Sequence, residues 1–201
     1  LSDRQIILSS IKKKKLKLSK NLKLNILNER FDRNILSSKS VINKASINSK
    51  SVKKNDIFFA IKGKKKDGNK FVSDALSKGA GCIISSLVKK RKNNKIIKLK
   101  NPTSFLNHFA KLKREFSLAK IVAITGSAGK TSLKNLIGDL LQNFSKTHSS
   151  PKSFNNHFGV PISLSNLSID DKFGIFEVGM SRAGEIKKLT KLIKPHIAVI
   201  T

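Results

Sequence analysis

Short apolar runs, punctuated by glycine and polar loops, alternate with stretches of helical spacing along most of the chain. Asp56-Ile57-Phe58-Phe59-Ala60-Ile61 reads as a buried strand closed by Gly63, and a polar loop with Asp67-Gly68 follows. Residues 70–77 predict a helix that carries Phe71, Ala75 and Leu76 inward and stops at Gly79. Further strands are expected at 82–85 and 96–99. A helix is expected over 103–116 through Leu106, Phe109, Ala110 and Leu112. After a short junction at 117–120, the run Ile121-Val122-Ala123-Ile124-Thr125 opens a second unit. Its first helix places Leu133, Leu136, Ile137, Leu140, Leu141 and Phe144 on one continuous apolar face. A strand at 173–178, a helix at 184–193 stopped by Lys194-Pro195, and a buried strand at 197–200 complete the pattern. Strand and helix alternate, so the sheet is expected to be mostly parallel and covered on both faces.

Composition narrows the class. The 201 residues hold 42 Lys+Arg against 12 Asp+Glu, a formal net charge of +30, which invites a nucleic-acid reading. Nearly all of that charge is lysine, the weaker choice for bidentate recognition, and it is spread over the whole chain. Trp and Tyr are absent and the phenylalanines lie in apolar runs, so stacking platforms are not indicated. No specific nucleic-acid partner is expected. A single cysteine, Cys82, in an apolar run excludes a disulfide scaffold and points to a buried thiol in a reducing, cytoplasmic setting. No apolar run approaches the roughly 18 residues of a transmembrane helix.

Candidate chemistry concentrates in Thr125-Gly126-Ser127-Ala128-Gly129-Lys130-Thr131-Ser132, set between a strand and an amphipathic helix. The glycines let the backbone turn its N–H groups inward, and the helix start adds partial positive charge, so the segment forms an anion cradle. Lys130 is placed to reach the β/γ-phosphates of a nucleotide and Thr131 to ligate Mg²⁺. The loop departs from the standard phosphate-loop pattern, because Ile124 stands where the first glycine belongs. A lysine in a helix's first turn opposes the helix dipole, a conflict that bound phosphate removes. Glu177, closing the apolar run 173–176, is the candidate carboxylate for Mg²⁺ or for catalysis. The guanine signature Asn-Lys-x-Asp is absent. The four histidines, His108, His148, His157 and His196, lack ligand-like spacing and are expected to be structural.

These residues resemble the Mur ligases, whose ATP loop has this shortened form. Ser153-Phe154-Asn155-Asn156-His157-Phe158-Gly159-Val160-Pro161 is similar to the family's Asn-Asn-x-x-Gly-Val-Pro segment. Phe176-Glu177-Val178-Gly179-Met180 with Gly184-Glu185-Ile186 resembles its Glu-x-Gly…Gly-Glu-Ile segment. Asn48-Ser49-Lys50, with Asp56 to Ala60 and Asp67-Gly68, resembles the pattern of its UDP-binding domain, although Asn48 and Lys50 replace an Asp and an Arg.

The resemblance covers roughly 40–201 and implies an α/β chain of two units. A lysine-rich lead-in at 1–30 precedes a small UDP-precursor-binding domain at 31–116. The first part of a phosphate-loop, parallel-sheet ATPase domain follows at 117–201, truncated. It further implies amide formation in peptidoglycan precursor synthesis. The carboxylate of a UDP-N-acetylmuramoyl-tripeptide passes through an acyl phosphate and is attacked by the amine of D-Ala-D-Ala. Lys130 and Glu177 then have catalytic roles, and Ser49, Lys50, Asp67, Gly68, Asn155 and Asn156 have substrate-binding ones.

The start at Leu1, the stop at Thr201 and the family's further domain together predict a fragment inactive alone. Residues 1–7 resemble the tail of the preceding ligase in the same pathway, which predicts a fused or associated partner. Two other classes compete: a different phosphate-loop NTPase or kinase, which leaves residues 155–161 unexplained, and a basic nucleic-acid binder, which leaves the loop unexplained.

Overall fold

The computed structural model describes residues 22–23, 41–63, 66–87, 95–152 and 154–201. The expectations for residues 1–7, for most of the lysine-rich lead-in at 1–30 and for Ser153 lie outside the described residues.

A short antiparallel pairing of β1 (Leu22–Lys23) with β2 (Val41–Ile42) leads into the first sheet. There β3 (Ala45–Ser46), β4 (Ile57–Ala60), β5 (Cys82–Ser85) and β6 (Ile96–Lys98) lie side by side in chain order, all parallel. Every residue of β4 and β5 is buried, as their unbroken apolar runs require in a sheet covered on both faces. Phe58, Ala60 and Ile83 pack with Val72 and Ala75 of α1 (Val72–Ser77), and Ile57, Phe59, Cys82 and Ile84 pack with α2 (Pro102–Phe116). The Asn101 side chain accepts the Ser104 N–H at 2.9 Å and Pro102 occupies the first turn, so α2 starts where its local chemistry favours a helix.

The second sheet contains β7 (Lys120–Thr125), β8 (Thr147–Ser149), β9 (Phe173–Glu177) and β10 (Ile197–Ile200), all parallel, in the order β10-β7-β9-β8. On one face α3 (Lys130–Gln142) covers Val122, Ile124 and Ile175. On the other, α4 (Gly159–Ser165) and α5 (Glu185–Ile193) cover Ile121, Ala123, Phe176 and Val178. The chain leaves β7 toward β8 on one side and later returns to β10 on the other. This reversal opens a crevice at the carboxyl ends of β7 and β9.

The two sheets share packing. Phe105, Leu106, Phe109 and Leu112 of α2 join Ile162 of α4 in the first core, while Ala110 of the same helix belongs to the second. Asn166, just past α4, accepts the Ala45 N–H at 2.7 Å and donates to the Ala45 carbonyl at 3.0 Å, clasping the edge strand β3. Arg114 donates to the carbonyls of Ile193 (2.6 Å) and Lys194 (3.0 Å), where α5 ends without enough partners of its own.

Several expectations need correction. Phe71 is exposed; residues 68–71 form a separate 3₁₀ turn, and only Ala75 and Leu76 of that trio face the core. The apolar stripe of α3 divides: Leu133, Ile137 and Leu141 pack on the sheet, whereas Leu136, Leu140 and Phe144 face solvent. Lys134 and Gly138 are the buried positions of that helix. A Cβ at Gly138 would meet Ser149 Oγ, so α3 runs close against β8 at this position. The expected buried strand at 197–200 is an edge strand with Ile197 and Ile200 exposed. Neither β8 nor α4 was expected from the pattern.

Candidate nucleotide site

The segment 125–132 leaves the carboxyl end of β7 and enters α3 at the crevice. Gly126 has φ 139°, and a Cβ there would strike the Thr201 backbone, so the loop and the end of β10 approach as closely as only glycine permits. Gly129, at φ 74°, starts the helix, and no side chain caps it. The first-turn N–H groups and the dipole therefore favour an anion at this end of the helix. Lys130 Nζ curls over the loop, donating to the Gly126 carbonyl at 2.7 Å and to that of Ser127 at 3.3 Å. Ser127, Ala128 and Ser132 are exposed, and the Ala128 carbonyl accepts the Thr201 hydroxyl. A cavity of about 1050 Å³ opens beside the loop, with Thr125, Gly126, Lys130, Asn155, Gly179 and Thr201 in its wall.

Glu177 is the last residue of β9, which ends one residue before the expected 178, and is 1% exposed. Its Oε2 accepts the Thr131 hydroxyl at 2.7 Å and its Oε1 accepts from Asn155 Nδ2 at 2.8 Å. The Glu177 N–H donates to Ser150 Oγ at 3.2 Å. Lys134 Nζ stands 3.8 Å from Oε2. Two hard oxygen donors, the Thr131 hydroxyl and the Glu177 carboxylate, thus meet at the foot of the cradle. That donor set suits Mg²⁺.

The other candidates separate. Asn155 lines the cavity and is anchored twice, through Glu177 and through its carbonyl, which accepts the Gly179 N–H at 2.8 Å. Asn156 also lines the cavity, but its Oδ1 accepts the N–H groups of Phe158 (3.0 Å) and Gly159 (2.9 Å) and so starts α4. Ser49, Lys50, Asp67 and Gly68 are absent from the cavity wall. They sit in the turns after β3 and β4, at the carboxyl ends of the first sheet. Ser49 is buried, and hydrogen bonds from it and from Lys78 hold the Asp74 carboxyl below its usual range. The Lys50 N–H is accepted by the Asn48 side chain at 3.1 Å. Asp67 Oδ1 accepts the Asn69 N–H at 2.9 Å, which lowers the Asp67 pKa.

Sequence reasoning missed Lys134, which breaks the apolar side of α3 between Leu133 and Ile137. A lone cation on a sheet-facing position was the available signal. Thr201 was missed too, since only β10's register beside β7 brings it to the loop.

His148, His157 and His196 have structural partners, and His157 also stands in the cavity wall. His148 meets Ser163 Oγ at 3.0 Å and packs on the Phe176 ring, His196 Nδ1 accepts the Ile121 N–H at 2.9 Å, and His157 packs on Phe158.

Residues 124–201, which include the whole loop and Glu177, match the Mur ligase middle domain, and residues 41–114 match the Mur ligase family catalytic domain. The chain belongs to the Mur ligase family. The curated Mur ligases it resembles include the UDP-N-acetylmuramoyl-tripeptide--D-alanyl-D-alanine ligase of Rickettsia prowazekii. That relative is 43% identical over 159 residues, covering 79% of this chain and 35% of the relative. The enzyme of the same name from Buchnera aphidicola subsp. Baizongia pistaciae is 38% identical over 146 residues, covering 72% and 32%. Among solved Mur ligases, MurF from Acinetobacter baumannii superposes with TM-score 0.69 at 27% identity over 81% of this chain and 36% of that one. MurF from Thermotoga maritima, solved in complex with ADP, gives TM-score 0.66 at 31% identity over 84% and 38%. The chain spans about a third of the length of the curated relatives it matches. Among the described residues, no helix is long and apolar enough to cross a membrane.

Proposed function

We propose that this chain is the uridine-nucleotide-binding and ATP-binding part of a cytoplasmic ligase. In this reading, the enzyme joins D-Ala-D-Ala to UDP-N-acetylmuramoyl-tripeptide in peptidoglycan precursor synthesis. The observation that carries the reading is the junction of loop, carboxylate and asparagine: Thr131 and Asn155 both hydrogen-bond Glu177 at the open end of the sheet. The 43% identity to a D-alanyl-D-alanine-adding ligase supports the choice of amine substrate, and the ADP complex of a neighbour supports the nucleotide.

A carboxylate is a poor electrophile, and transfer of the γ-phosphoryl group makes an acyl phosphate whose phosphate can leave when the amine attacks. The N–H cradle and Lys130 bind and orient the phosphates and offset their charge. Thr131 and Glu177 would hold Mg²⁺, which supplies charge neutralisation when bound. Asn155 fixes Glu177 and faces the cavity where the tripeptide carboxylate has to arrive. Ser49, Lys50, Asp67 and Gly68, in the turns at the carboxyl ends of the first sheet, belong in this reading to the uridine-nucleotide subsite. Asn156 supports the junction through the start of α4.

The test is phosphate release from ATP by the full-length protein with UDP-N-acetylmuramoyl-tripeptide, with and without D-Ala-D-Ala. We expect release only with both substrates, and a fall of at least about 100-fold in Lys130→Ala. Release indifferent to both substrates would reassign the site to another phosphate-loop NTPase.

A further inference from the structure

The helix that carries the phosphate loop also carries a buried cation. Lys134 lies one turn beyond Thr131, is 1% exposed, and faces the sheet. Its Nζ stands 3.8 Å from Glu177 Oε2 and donates to the Lys152 carbonyl at 2.5 Å. Lys152 has a left-handed backbone (φ 49°) in the loop that supplies Asn155 three residues later. Asn155 in turn donates to the second oxygen of the same carboxylate, at 2.8 Å. One ammonium therefore touches both the carboxylate and the loop that holds that carboxylate's other side. Burying a cation is costly unless it is paired and hydrogen-bonded. An apolar side chain between Leu133 and Ile137 would serve packing alone, so what the lysine adds is a fixed charge and donor behind Glu177.

We propose that Lys134 is a positioning residue: it holds Glu177 and the 150–155 loop against the phosphate loop in the arrangement that receives the magnesium–nucleotide. The inference rests on the nucleotide reading above, and the two fail differently. Removing an outer partner of a ligating group lowers metal affinity by about 10–100-fold.

The experiment is calorimetric titration of ADP into the full-length protein, with and without Mg²⁺, for wild type, Lys134→Met and Lys134→Arg. We expect Mg²⁺-free affinity to stay within about twofold. The Mg²⁺ concentration for half-maximal enhancement should rise at least about tenfold in Lys134→Met and stay near wild type in Lys134→Arg. Loss of packing alone would not move the Mg²⁺ dependence of folded protein. Because Lys134→Met leaves a buried carboxylate without its counter-charge, Glu177→Gln and the double variant Glu177→Gln/Lys134→Met are titrated as well. Equal Mg²⁺ dependence of these two shows that Lys134 acts through Glu177, and a further loss in the double variant overturns the proposal. Wild-type Mg²⁺ dependence in Lys134→Met overturns it too, as does a wild type that binds ADP without any Mg²⁺ effect. A wild type that binds no ADP overturns the nucleotide reading and this inference with it.

Discussion

Burial sets the chemistry of two residues outside the site. Cys82 is fully buried in β5, and desolvation raises its thiol pKa far above the ordinary range, leaving it a packing atom. His148 is driven down to about 4 by burial, helped by the charges of Lys113 and Lys44. Above that pH it is neutral in the folded protein, while in the unfolded chain it gains a proton near the ordinary histidine value of 6.5. Between those values the unfolded state binds more protons, so stability is retained above about pH 6.5 and falls as the pH drops toward 4. The slope is at most ~1.4 kcal/mol per pH unit. Urea midpoints measured across pH 4–7 should show this slope, and His148→Gln should flatten it.

At the scale of the element, α3 shows why apolar periodicity alone misassigned a face. Two apolar stripes run along the helix, and spacing cannot say which one meets the sheet. Gly138, through its close approach to Ser149, and Lys134, through Glu177, decide it. Leu140→Lys and Phe144→Lys should each change the unfolding free energy by less than about 0.5 kcal/mol. Ile137→Ala should cost about 2 kcal/mol. Chemical denaturation of the three variants checks the assignment, and a large loss from Leu140→Lys would reverse it. Other elements were legible because their signals are local. The runs 57–60 and 121–124 are apolar throughout, and the stop at Gly79 uses a left-handed φ of 84°. The strand β8 and the helix α4 escaped because Thr147–Ser149 is polar and because α4, capped from Asn156, lacks a conventional helical apolar spacing.

Across the whole molecule, the two sheets are joined by α2, by the Arg114 contacts to the end of α5 and by the Asn166 clasp on β3. Asn166→Ala removes both partners of the Ala45 peptide groups. It should cost about 1–3 kcal/mol and separate the unfolding of the two sheets into resolvable calorimetric transitions. A single unshifted transition would show that α2 couples them unaided.

The glycine loop at 125–132, its order between strand and helix, the candidacy of Glu177 and the alternating α/β pattern were determined by sequence alone, because each depends on residues adjacent in the chain. Tertiary structure decided the rest. Thr201 meets Gly126 across 75 positions, Asn155 meets Glu177 across 22, and Lys134 meets Lys152 across 18. Contacts of that span depend on strand order and helix rotation, which local spacing leaves open until the sheets close.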